Sequence, residues 1–252
     1  MSTATQGGMH SIPALLSRNA QQLGNLTAYR EKEFGIWQAW TWKEVEAEVR
    51  ALALGFLALG MERGDYVAII GRNRPALYWS MVAAQSVGAI PVPLYQDAVA
   101  EEMVYVLDHC GARFAVCGDQ EQVDKVIEVR DQLPLLKRIV VVEVKGMRSY
   151  PADLVTSFEA LEREGAAHRA QHPGLVEEAL SRQGLADTAL MIYTSGSTGK
   201  PKGAMLTYGN IRAQAIAVTE KLGLDRDSTH LSYLPLCHVA EQMTTLMAPV
   251  YL

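Results

Sequence analysis

Residues 193–203 read Tyr193-Thr194-Ser195-Gly196-Ser197-Thr198-Gly199-Lys200-Pro201-Lys202-Gly203. Glycines at 196, 199 and 203 let the backbone turn tightly and approach a ligand closely. Hydroxyls at 194, 195, 197 and 198, together with exposed N–H groups and two lysines, give such a loop the chemistry of an oligophosphate cradle. A Walker-A loop is excluded. That motif needs a glycine where Thr194 stands and a Ser or Thr after the lysine, whereas Pro201 follows Lys200. An apolar segment at 188–193 leads into the loop and a helix-forming segment follows from Thr207, so the loop is expected between a strand and a helix.

Outward from the loop, strand-like and helix-like segments alternate. Ser11-Ile12-Pro13 opens a helix that stops near Gly24. Segments 27–30 and 36–41 read as two strands joined by a turn at Gly35, and Thr41-x-x-Glu44 is a capping box for a helix running towards Gly60. Strands are expected at 65–70, 89–94, 113–117 and 138–144. Helices are expected after Pro75, over 101–110 and over 120–133. Residues 150–184 are polar and charged, with helical patches, and read as an excursion before the strand at 188–193. Strands separated by helices of this length predict an α/β fold, a mostly parallel, doubly wound sheet with flanking helices.

Composition bounds the function. The 252 residues are 49% hydrophobic and carry a net charge of −5, enough to bury a sizeable core and without the basic field of a nucleic-acid binder. Cys110, Cys117 and Cys237 form no Cys-x-x-Cys pair, which points to a reducing, cytoplasmic setting. The apolar run 51–61 is too short to span a bilayer.

A second motif lies downstream, Ser232-Tyr233-Leu234-Pro235-Leu236-Cys237-His238-Val239-Ala240-Glu241. Residues 231–234 read as a buried strand end, Pro235 stops it, and a helix begins near Cys237. His238 therefore falls at the mouth of a strand-to-helix turn, where open α/β sheets place ligands.

Together the two motifs resemble the signatures of the AMP-forming adenylating superfamily: acyl-CoA synthetases, luciferases and peptide-synthetase adenylation domains. From the tryptophan-bearing segment 34–42 through residues 86–95, Ser-Val-Gly-Ala-Ile-Pro-Val-Pro-Leu-Tyr, the chain resembles the early part of an acyl-CoA synthetase. The segment 34–42, with the long excursion 150–184, extends the resemblance towards the long-chain fatty acid–CoA ligases. The resemblance implies an ATP-dependent activation of a fatty acid to acyl-adenylate, then transfer to coenzyme A, with Mg²⁺ as the metal. It implies that Thr194, Ser195, Gly196, Ser197, Thr198, Gly199, Lys200 and Lys202 line the phosphates. Thr194 would also ligate Mg²⁺, Lys202 would balance pyrophosphate charge, and His238 would orient the acyl carboxylate. Tyr233 and Glu241 are secondary candidates, Glu241 reading equally well as a solvated helix residue. A lipid substrate would favour peripheral membrane contact.

The family's Tyr-Gly-x-Thr-Glu motif and its lysine-bearing C-terminal lid do not occur in the chain; Tyr208-Gly209-Asn210 is the nearest echo. Residues 1–252 are accordingly expected to be part of the N-terminal adenylation domain, inactive alone. Adenylation of an aryl or amino acid, a non-catalytic nucleotide-binding module and an ADP-releasing NTPase are the alternative readings.

Overall fold

The computed structural model describes residues 10–194 and 199–252. The chain opens with α1 (Ile12–Gln22), whose first turn is capped by the Ser11 hydroxyl accepting from the Ala14 N–H. A hairpin of β1 (Thr27–Glu33) and β2 (Ile36–Thr41) follows. It leads into α2 (Trp42–Ala58) through the expected capping box: the Thr41 N–H donates to Glu44 at 2.7 Å and the Glu44 N–H to the Thr41 hydroxyl at 3.3 Å.

The body is built on β3 (Tyr66–Ile70), α3 (Pro75–Ser86), β4 (Ile90–Leu94), α4 (Ala100–Cys110), β5 (Ala112–Cys117), α5 (Gln120–Glu128), β6 (Arg138–Val141) and β7 (Val155–Ser157). These five strands form one sheet, all parallel, in the order β4-β3-β5-β6-β7. Alternation along the strands divides the core in two. Val67, Ile69, Phe114, Val116 and Val140 join the cluster that holds α2 and α3. Ala68, Ile70, Ala115, Cys117 and Val141 join the cluster of α4 and α5. Helices thus cover both faces, as a doubly wound sheet requires.

The charged stretch 150–184 holds more order than its composition suggests. It contributes the edge strand β7 and the helices α6 (Phe158–Gln171) and α7 (Leu175–Ser181). Only Leu161 and Gly165 of α6 are buried, so the helix carries almost no apolar periodicity to read. Gly165 sits where α6 crosses α2, and a Cβ there would strike the Gly55 backbone at 2.7 Å. Two further expectations shorten: α5 ends at Glu128 with a separate 3₁₀ turn at Arg130–Gln132, and β6 ends at Val141.

The α2–α6 crossing also brings Glu162 against Glu48. Burial, and then the hydrogen bond and charge of Glu48, push the Glu162 carboxyl up to about 7. Its folded value lies above the unfolded value of about 4.3. The stability it contributes is therefore present in acid and lost as pH rises through about 7. Glu162→Gln is expected to raise the thermal midpoint at pH ~8 and leave it unchanged at pH ~5, where the native group is already protonated; thermal melts at the two pH values check this.

The last strands are β8 (Thr188–Thr194) and β9 (Lys202–Thr207), an antiparallel pair followed by α8 (Tyr208–Leu222). The loop at 195–201 therefore joins two strands, and the expected strand-to-helix passage is corrected by β9, a short half-exposed strand. β8 packs beside β4 without sharing its ladder. The Ile90 N–H bonds to Asp65 O, towards β3, so Pro91 and Pro93, of opposite parity, fall on the outer edge. That edge has no N–H at those positions to offer a further strand.

Candidate active site

The closing pair of the β8–β9 hairpin is Thr194 opposite Lys202. Antiparallel pairing thus places the expected phosphate- and metal-binding hydroxyl beside the expected ammonium, with Cα atoms about 4.5–5.5 Å apart. Both residues are exposed. Ser195, Gly196, Ser197 and Thr198 lie outside the described residues. Gly199 has φ 129°, a conformation open to glycine and strained for other residues. At Gly203 the constraint is space: a Cβ would lie 2.9 Å from Met191 Sδ and 3.3 Å from the Tyr193 ring.

Helix α4 braces the hairpin from the side. The Tyr105 hydroxyl donates to Pro201 O at 3.0 Å, and Lys200 Nζ lies 5.1 Å from the centroid of the Tyr105 ring. One turn on, His109 Nδ1 and the Tyr193 hydroxyl share a 2.6 Å hydrogen bond. Burial pushes the Tyr193 hydroxyl well above the ordinary tyrosine range, so it stays protonated. Tyr105 and His109 were not legible as site residues. Their contacts span 96 and 84 positions of chain, and their only local sign is the i, i+4 spacing that puts both on one face of α4.

The second motif departs from its expected form. Residues 231–234 form no strand, and Leu231 and Tyr233 are 74% and 72% exposed. The Tyr233 and Leu234 N–H groups instead donate to the Glu241 carboxylate at 3.3 and 3.1 Å. Glu241 is fully buried, so the solvated-helix reading fails. Its other oxygen accepts from the Tyr78 hydroxyl at 2.9 Å and from Thr245. Burial alone would raise this carboxyl. The donors Thr245, Ser232, Tyr78 and the Leu234 N–H outweigh it and hold the group below the usual glutamate range, ionised. Asn73 completes the clamp, donating to Ser232 Oγ at 2.8 Å and Leu234 O at 2.7 Å.

His238 follows directly as the cap of a helical segment that continues through a π-helical stretch, Gln242–Met247, to Tyr251. Its Nδ1 accepts the Ala240 N–H at 3.1 Å. A ring nitrogen that accepts is unprotonated, which leaves the neutral ring's proton on Nε2, free to donate. Among the described residues no hydrogen bond joins His238 to the hairpin. A cleft of about 290 Å³ opens beside this motif at the carboxyl ends of β3 and β4, lined by 71–73, 94–97 and 232–236, the position at which parallel sheets bind ligands.

No group of three or more His, Cys, Asp or Glu able to hold a metal exists among the described residues. Thr194 offers a single neutral oxygen, which fits Mg²⁺ held mainly by phosphate and water and does not fit a protein-caged ion.

The sequence comparisons converge on this architecture. The long-chain-fatty-acid–CoA ligase ACSBG2 of Xenopus laevis is 33% identical over 238 residues, covering 92% of this chain and 31% of that protein. ACSBG1 of Rattus norvegicus is 30% identical over 241 residues, covering 94% and 33%. The chain thus spans about a third of the length of the curated relatives it matches. Among solved structures, the N-terminal domain of FACL13 from Mycobacterium tuberculosis superposes with a TM-score of 0.71 at 23% identity, covering 95% of this chain and 55% of that one. A fatty acyl-adenylate ligase from L. pneumophila, in complex with acyl adenylate and pyrophosphate, gives 0.70 at 17% identity, covering 96% and 38%. At those identities the superpositions establish the fold. No helix among the described residues is long and apolar enough to cross a membrane. With residues 16–252 matching the family described as AMP-binding enzyme, the chain belongs to that family.

Proposed function

We propose that this chain carries the ATP-binding and acid-binding part of an AMP-forming acyl-CoA ligase acting on long-chain fatty acids. The observation that carries the reading is the pairing of Thr194 with Lys202 at the mouth of a glycine- and hydroxyl-rich loop. ATP and the fatty acid would meet here, and coenzyme A would accept the acyl group in the second half-reaction. We further propose that a C-terminal lid, outside residues 1–252, completes the enzyme; the share of the relatives that the chain spans supports this.

Each residue has a defined task. Lys202 and Lys200 supply positive charge to the β- and γ-phosphates, and the loop residues from Thr194 to Gly199 supply hydroxyl and N–H donors. Thr194 would be the protein's oxygen ligand to Mg²⁺, which when bound neutralises phosphate charge as pyrophosphate leaves. His238, with its proton on Nε2, donates to the acid's carboxylate and aims one oxygen at the α-phosphorus. The attack forms a carboxyl–phosphate bond and breaks the α–β phosphoanhydride, so the charge that builds on phosphate oxygens is what the fixed donors stabilise.

A panel of long-chain, aryl and amino acids tested for acid-dependent ATP–pyrophosphate exchange on the enzyme carrying this chain separates the substrate readings. Exchange with long-chain fatty acids is the expected result. Exchange confined to aryl or amino acids would replace the fatty acid but keep the chemistry.

A further inference from the structure

The β1–β2 hairpin turns through Phe34 and Gly35, between the closing pair Glu33 and Ile36, with φ of 47° and 83°. Two positive φ values in a two-residue hairpin make a type I′ turn, which favours Asn, Asp or Gly at its first position. Phenylalanine there works against the turn, and its side chain is 96% exposed, so no packing in the described structure accounts for it. Ile36 and Trp37 beside it are 65% and 62% exposed.

The charges around this tip are sorted by face. Directly opposed residues of a hairpin share a face. The pairs Tyr29–Trp40 and Glu31–Gln38 face the body, where Tyr29 and Trp40 pack on Trp79 and Arg74 draws in Glu31 at 3.1 Å and Glu33 at 3.3 Å. The pairs Arg30–Ala39 and Lys32–Trp37 face outward, with Lys32 Nζ 5.9 Å from the Trp37 ring centroid. Neither Arg30 nor Lys32 forms an ion pair among the described residues. Glu44 acts at Thr41, about 13 Å along the strand from Trp37 and beyond a Debye length of ~8 Å at physiological salt. In a chain of net charge −5, this face sets Arg30 and Lys32, unpaired among the described residues, beside the exposed Trp37 ring.

We propose that the hairpin tip docks on an anionic lipid bilayer, Phe34 and Trp37 entering the headgroup region while Arg30 and Lys32 meet lipid phosphates. A convex two-residue turn lacks the ~800 Å² that a stable protein interface buries on each side. Bilayer interfaces favour tryptophan and basic residues and need no complementary pocket. The inference rests on the hairpin alone and stands apart from the ligase reading.

The test is co-sedimentation of the protein with vesicles of phosphatidylcholine alone and of phosphatidylcholine mixed with phosphatidylglycerol. Binding to the mixed vesicles, weakened by salt, is expected, and so is quenching of tryptophan emission by brominated lipid that Trp37→Phe reduces. Arg30→Ala with Lys32→Ala should weaken binding roughly thirtyfold. Phe34→Asn suits the turn better, so it should keep or raise the thermal midpoint while weakening binding tenfold or more. Three results would overturn the proposal: no binding to mixed vesicles, binding indifferent to Phe34→Asn, or a tip found instead against another copy or segment of the protein, seen as self-association or shielded Trp37 emission without lipid.

Discussion

Lys202→Ala is expected to lower fatty-acid-dependent ATP–pyrophosphate exchange by about 10²–10³-fold, the cost of removing one preorganised electrostatic donor from a charge-developing site. The thermal midpoint should hardly move. Lys202 is exposed at the end of β9 and forms no ion pair among the described residues, and surface substitutions of this kind stay within about 0.5 kcal/mol. Lys202→Arg should recover part of the rate, because the charge returns with a different shape. Transfer of a preformed acyl-adenylate to coenzyme A should change far less, since the pyrophosphate has already left. Loss of both half-reactions together would mean that Lys202 holds the fold and not the phosphates.

Glu241→Ala is expected to be the most damaging single substitution in the second motif, destabilising the chain by roughly 3–5 kcal/mol. It strands the Tyr78 and Thr245 hydroxyls and the Tyr233 and Leu234 N–H groups, all directed at one buried carboxylate. Glu241→Gln keeps the shape and should cost far less. The sign of the pH dependence follows from the depressed folded value. The charged group's contribution is present above the unfolded value of about 4.3 and lost as pH falls through the folded one. The stability gap between wild type and Glu241→Gln should therefore close in acid, which urea titrations at a series of pH values would show. Because the same carboxylate fixes the chain on which His238 rides, Glu241→Gln should raise KM for the acid more than KM for ATP. A uniform loss of kcat with both KM values intact would assign Glu241 to stability alone.

The fold was legible where its signals are local. Ser11 and Thr41 cap helices within three residues of themselves, and buried strands such as 66–70 announce themselves as short apolar runs. The glycine- and hydroxyl-rich loop was legible from its composition, and the β8–β9 hairpin that flanks it gave no such sign. β9 is six residues, half of them exposed and none buried, and becomes a strand only through pairing with β8. α6 was hidden by its charge, since it is held by a close glycine crossing with α2 in place of an apolar stripe. The strand expected at 231–234 failed because those backbone donors are satisfied by a side chain, Glu241, seven and eight positions away. Asn73, Tyr78, Tyr105 and His109 act across 84 to 163 positions of chain, and only tertiary structure brings them to the motifs they hold.

The most direct test is isotope exchange from labelled pyrophosphate into ATP, measured with the enzyme that carries this chain, with and without a long-chain fatty acid. Exchange that requires the acid, accompanied on adding coenzyme A by release of AMP, is the expected result. Acid-independent hydrolysis to ADP and phosphate, with no exchange, would contradict the assignment of the Thr194–Lys202 hairpin to adenylation.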